Sequence, residues 1–159
     1  MNRQANIFYM DAIDKKILAE LQKDGRLSIT ELGERVGLSL SPCHRRVRAL
    51  EEAGVISGYH AEIKPASVGL NFSSIVFVTL KEANAKSVQA FEAALHHVPE
   101  ITRAERLFGD PDYMLHVVTR DLSAFQVFYD RNLATLPNVL RLTSTLVMKS
   151  IFENRPLPL

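Results

Sequence analysis

Residues Phe72 to Lys81, FSSIVFVTLK, set the tightest limit on how this chain folds. The segment is rich in β-branched and aromatic residues and reads as a strand. Its alternation puts Phe72, Val76, Val78 and Leu80 on one face and Ile75 and Phe77 on the other. A strand that is apolar on both faces needs cover on both sides. Helices of the same chain can supply one layer. For the other, a second copy of the same sheet, giving a homodimer, is expected over the docking of the N-terminal helices, which would hide a module that looks self-sufficient.

The segments that follow supply the partners of this strand. Asn84 is placed to cap a helix in which Val88, Phe91, Leu95 and Val98 keep helical spacing until Pro99. Strands over about Thr102–Phe108 and Tyr113–Arg120 flank the turn Gly109-Asp110-Pro111-Asp112. Asp121 or Ser123 opens another helix, whose stripe Phe125, Phe128, Tyr129, Leu133 and Leu136 stops at Pro137, and a last strand is expected over Leu140–Ile151. The order βαββαβ predicts a ferredoxin-like sandwich.

Before it, the rhythm is helical. Ile13, Ile17, Leu18 and Leu21 form one stripe on a helix from about Asp11 to Lys23, ended by Asp24-Gly25. Ser28 with Glu31 matches a capping box for a short helix carrying Leu32 and Val36, and Gly37 stops it. Ser39 is placed to cap a third helix that tolerates Pro42 in its first turn and ends at Gly54. Two helices joined by so short a glycine-containing turn match a helix-turn-helix. A β-prone segment, Val55–Ile63, and the sequence Lys64-Pro65 with Gly69 then lead to the second half. The expected organisation is α+β, with a winged-type helix-turn-helix domain over 1–57, a β-strand linker over 58–70 and the βαββαβ domain over 71–159.

The third helix holds the candidate chemistry. On a helical wheel Cys43, Val47 and Leu50 share a stripe facing the helical core, which makes Cys43 a small buried hydrophobe. Ser41, Arg45 and Arg48 lie opposite, with Glu52 beyond and His44 on the flank. Arg46 projects nearer the core edge, within reach of either a phosphate or an acid on a neighbouring helix. Cys43 and His44 diverge by about 100° and cannot act as a nucleophile and its base. His60, His96, His97 and His116 show no metal-ligand grouping. A basic helix that presents its first two turns to solvent remains, and that is how a recognition helix enters the major groove of double-stranded DNA. Ser39, Ser41, Pro42, His44, Arg45, Arg46 and Arg48 are its candidate contacts.

Bulk properties fit that reading. A net charge of +1 gives no global attraction to polyanions, so any such site has to be local. The single cysteine makes no internal disulfide, and neither a signal peptide nor an apolar run of membrane-spanning length is seen, so a cytoplasmic protein associated with the nucleoid, with no membrane role, is expected. No glycine-rich phosphate loop is present, and neither an enzyme nor a cofactor is expected. Asp110 and Asp112 are explained by turn conformation, or by one carboxylate receiving the ammonium of a small ligand.

The stretch from Asp11 to Leu70, "GDPDYML" at Gly109–Leu115 and the closing "TSTLVMKSI" resemble the Lrp/AsnC (leucine-responsive, feast/famine) family of transcription regulators, almost over the whole chain. The resemblance implies a RAM-type C-terminal domain, swapped or paired dimers that assemble into tetramers or octamers, and a small amino acid bound between dimers. It nominates Gly109, Asp110, Asp112 and Tyr113 at the turn, and Leu146 and Val147 from the last strand. The tail also resembles a subgroup that responds to sulfur amino acids. Three positions depart from the family pattern: Pro111 stiffens the turn and removes an N–H donor, and Leu40 and His44 are unusual at the start of the third helix. The alternative is a DNA-wrapping architectural protein indifferent to ligands.

Overall fold

The computed structural model describes residues 9–159. The first eight residues of the expected N-terminal domain lie outside them. The chain forms two compact units, one of residues up to Glu62 together with Phe152–Leu159, the other Ile63–Ile151.

The first unit is built on α1 (Ala12–Lys23), α2 (Ile29–Val36) and α3 (Leu40–Glu52). Two reciprocal caps start the first two helices. The Asp11 carboxylate accepts the Asp14 N–H while Asp14 accepts the Asp11 N–H, and Ser28 and Glu31 do the same for α2. Gly37 ends α2 with φ +76°, a conformation that favours glycine. Gly33 has a different role. A Cβ there would stand 2.7 Å from the Leu38 carbonyl oxygen, so the turn into α3 closes tightly only over a bare backbone. Ile17, Leu32, Val36, Cys43, Val47 and Leu50 form the buried core.

Ser39 occupies the N-cap position of α3, but its hydroxyl makes no capping hydrogen bond. The strand expected over Val55–Ile63 is not formed. High β propensity makes no ladder without a neighbouring strand, and the Val55 and Ile56 N–H groups instead both donate to the Leu50 carbonyl, closing the end of α3. Part of the expected β-strand linker is a short 3₁₀ turn, Pro65–Val68.

The second unit is an antiparallel sheet of order β2-β3-β1-β4, with β1 Phe72–Leu80, β2 Ile101–Arg106, β3 Tyr113–Thr119 and β4 Val139–Leu146. Helix α4 (Ala85–Leu95), capped by Asn84, and helix α5 (Leu122–Phe128), capped by Asp121, cover one face. A π-helical turn, Tyr129–Leu133, continues α5. Val76, Val78 and Leu80 face these helices together with Phe91, Leu115, Val117, Phe128 and Leu133. On the opposite face Ile75 and Phe77 lie half-buried beside Met114 and His116 of β3. The last strand is shorter than expected. The Val147 N–H makes its closing bond to the Ser73 carbonyl, and β1 begins at Phe72, so residues 148–151 run out of partner.

Candidate functional site

The two faces of α3 divide as the wheel predicts. Cys43 and Leu50 are fully buried and Val47 nearly so, while Ser41, His44, Arg45 and Arg48 are exposed and Pro42 is half-buried. Burial pushes the Cys43 thiol up, which suits a packing role. Leu40, 57% exposed, stands at the start of the same surface. Arg48 Nε donates to Glu52 Oε1 at 2.8 Å one turn later, an exposed pair of little energetic weight that DNA can displace.

For Arg46 the structure shows the second of the two alternatives, an acid on a neighbouring helix. Its Nη1 donates to Asp11 Oδ2 and to Asp14 Oδ1, both at 2.8 Å, bracing α3 against the start of α1. Asp14 is 6% exposed and needs that cation. The Asp11 carboxyl is held below its usual range by the backbone N–H of Asp14 and by this guanidinium. Arg46 is an acid-paired brace in this structure, unlike the exposed arginines beside it.

The turn residues of the second unit point three ways. Asp110, exposed, takes the hydroxyl of Thr79 at 3.2 Å and the guanidinium of Arg141 at 3.4 Å, and Thr79 and Arg141 are cross-strand neighbours on the open face of the sheet. Asp112 lies in the sheet plane. Its Oδ2 accepts the Leu80 N–H at 2.7 Å, its own N–H donates to the Val78 carbonyl, and its carbonyl accepts the Leu107 N–H. This carboxylate already satisfies a strand end, where sequence reasoning offers it to a ligand. Tyr113 turns to the helix side, 2% exposed against Phe91, and donates its hydroxyl to Glu92 Oε1 at 2.8 Å. Burial, then the Glu92 hydrogen bond, push this phenol up to about 12. Gly109 lies at φ +134°, and the Asp110–Pro111 bond is cis.

Leu146 and Val147 are not brought to this turn. Leu146 pairs with Ser74, whereas Asp112 is bonded to Leu80, six residues along β1 and so roughly 20 Å away at about 3.3 Å per residue. Arg141, Thr79 and Glu92 are the partners that sequence reasoning missed. Only the strand register places the first two beside the turn, and a tertiary contact brings in the third.

Two units of this kind, one presenting a basic helix over a closed three-helix core and the other a βαββαβ sandwich, define a DNA-binding regulator with a separate ligand-binding domain. Residues 10–57 match the winged helix-turn-helix DNA-binding family and residues 73–157 the Lrp/AsnC ligand binding domain. The chain belongs to the Lrp/AsnC family of transcriptional regulators, DNA-binding proteins of amino-acid metabolism and not enzymes. It is 40% identical to a leucine-responsive regulatory protein of Rhizobium meliloti, over 89% of this chain and 91% of the relative. It is 39% identical to the Bkd operon transcriptional regulator of Pseudomonas aeruginosa, over 94% and 98%. Among solved structures, a transcriptional regulator of Neisseria meningitidis in complex with L-methionine is 36% identical and superimposes with a TM-score of 0.89, covering 94% of this chain and 97% of that one. Among the described residues, no helix is long and apolar enough to cross a membrane.

Proposed function

We propose that this regulator binds its operator as a homodimer, or as a tetramer or octamer assembled from such dimers, through Ser41, His44, Arg45 and Arg48, and that a small amino acid held between dimers modulates the binding. The carrying observation is the division of α3. Its first two turns present donors to solvent, while Cys43, Val47 and Leu50 fix the helix from behind. Arginine forks suit guanine edges or phosphates, Ser39 has an uncommitted hydroxyl, and exposed Leu40 offers an apolar contact to a thymine methyl. The apolar open face of β1 supports pairing with a second sheet. Such a protein works in the cytoplasm, on the nucleoid.

For the effector, Asp110 suits an ammonium and Arg141 a carboxylate. The distance of Leu146 and Val147 from this turn within one chain supports a site that a second copy completes. The L-methionine held by the Neisseria protein supports an amino acid as the ligand class. An architectural, ligand-insensitive reading draws on Pro111, which lacks an N–H, and on Asp112, whose carboxylate is engaged.

Arg45→Ala and Arg48→Ala are each expected to weaken binding to a promoter fragment by about tenfold, from the loss of one bidentate contact. Fluorescence anisotropy measures this, and size-exclusion elution stays unchanged. Wild-type affinity in both variants would remove α3 as the recognition helix. Thermal unfolding against the twenty amino acids tests the effector. A ligand at 100 times its Kd adds about 2.7 kcal/mol, and Asp110→Ala abolishes the shift if the turn is the site. No shift with any of them favours the architectural reading.

A further inference from the structure

On the helix side of the sheet, α4 and the edge strand β2 enclose a groove of about 510 Å³, within the range of small-ligand sites. Its wall includes Leu95, Val98, Ile101 and Ala104, and its polar side chains are Glu92, His96, Thr102, Arg103, Arg106 and Tyr113. Arg106 is the cross-strand neighbour of Tyr113, on the same face of the sheet as Ala104. Glu92 uses Oε1 to accept the Tyr113 hydroxyl, and Oε2 has no hydrogen-bond partner among the described residues. The groove thus offers an anion and a cation from opposite walls, with an apolar surface between them.

The edge of β2 argues against an added peptide strand. Its ladder is interrupted at Thr102, between Ile101 and Arg103, and Arg103 pairs with Glu105 along the strand, two devices that discourage edge pairing. A small zwitterion meets no such obstacle.

We infer that this groove is a second ligand site, complete within one protomer, for an α-amino acid with an aliphatic or thioether side chain. Glu92 Oε2 takes the ammonium, Arg106 takes the carboxylate, and the side chain lies on Leu95, Val98 and Ile101. Tyr113 directly follows Asp112, which holds the Leu80 N–H, so a ligand seated on the Tyr113–Glu92 pair bears on the same turn from the helix side. This site is distinct from the proposed effector site at Asp110 and Arg141, and stands or falls separately.

Equilibrium dialysis of the full chain against L-leucine and L-methionine is the test, with Glu92→Gln, Arg106→Gln and Asp110→Ala as variants. Glu92→Gln keeps a carbonyl oxygen for the Tyr113 hydroxyl, and Arg106 is exposed, so both variants are expected to fold; circular dichroism checks this. Saturable binding that survives Asp110→Ala and weakens by about tenfold or more in both Glu92→Gln and Arg106→Gln supports the groove. If only Asp110→Ala abolishes binding, the groove assignment is overturned and the turn site stands. If Asp110→Ala changes nothing while the two groove variants lose all binding, the groove stands and the turn site fails. Wild-type binding in both groove variants, or no saturable binding to the wild type, overturns the groove.

Discussion

The three-helix unit and the sheet unit solve the same packing problem to different degrees. In the first, the apolar stripes of α1, α2 and α3 close on one another at Ile17, Leu32, Cys43 and Leu50, and what remains outside on the front of α3 is mainly polar. In the second, α4 and α5 cover one face of the sheet, and the other presents Ile75, Phe77 and Met114 half-buried with no layer of the unit over them. A closed unit is free to devote its surface to recognition. A half-covered sheet leaves apolar surface for the second copy proposed above to cover.

Core truncation gives the largest effect that can break this contrast. Phe91→Ala, at a fully buried ring, is expected to cost the sheet unit about 3–5 kcal/mol. Differential scanning calorimetry should then show one transition falling while the transition of the three-helix unit holds, and a single shared shift would mean that the units are not independent. Phe77→Asp probes the open face. It removes no contact with the helix-side core, so the secondary structure should persist while light scattering reports a smaller species; an unchanged mass would show that this face is not the assembly surface.

Arg46→Ala separates the bracing arginine from its neighbours. It leaves Asp14 buried without its cation and lowers the melting temperature of the three-helix unit, whereas Arg45→Ala leaves it unchanged. Equal melting temperatures would show the brace to be idle. The smallest effect is alkaline. The folded state holds the Tyr113 proton up to about 12, against an ordinary 10.0, so this group's stabilising contribution is complete below pH 10 and is lost as pH rises through about 12. Tyr113 should give the latest component of the 295 nm absorbance titration, and Tyr113→Phe should remove it.

What could be read in the sequence was local. The capping box Ser28/Glu31, the stop at Gly37 and the Cys43–Val47–Leu50 stripe depend on neighbours within one helical turn, and they stand as expected. The order of elements in the sandwich was legible for the same reason. Strand register was not. The end of β4 at Leu146, the distance of Leu146 from the turn and the presence of Arg141 beside Asp110 follow from residue-to-residue alignment of strands far apart in sequence. Nor could the spelling of the turn tell a carboxylate that holds a strand end, Asp112, from one that faces solvent, Asp110. The segment Val55–Ile63 has strand composition and no strand, because propensity does not supply a partner.

The brace at Arg46 has a consequence for how tightly DNA is held in a living cell. With that guanidinium engaged by Asp11 and Asp14, the proposed interface leaves each protomer Arg45 and Arg48 for the phosphates from this face, so a dimer binding in this way would neutralise roughly four charges and release about 3.6 condensed counterions. Doubling the potassium concentration would therefore loosen a dimer from its operator by roughly twelvefold. An assembly of several dimers multiplies that exponent, so the number of copies engaged sets how sharply occupancy answers to the osmotic state of the cell.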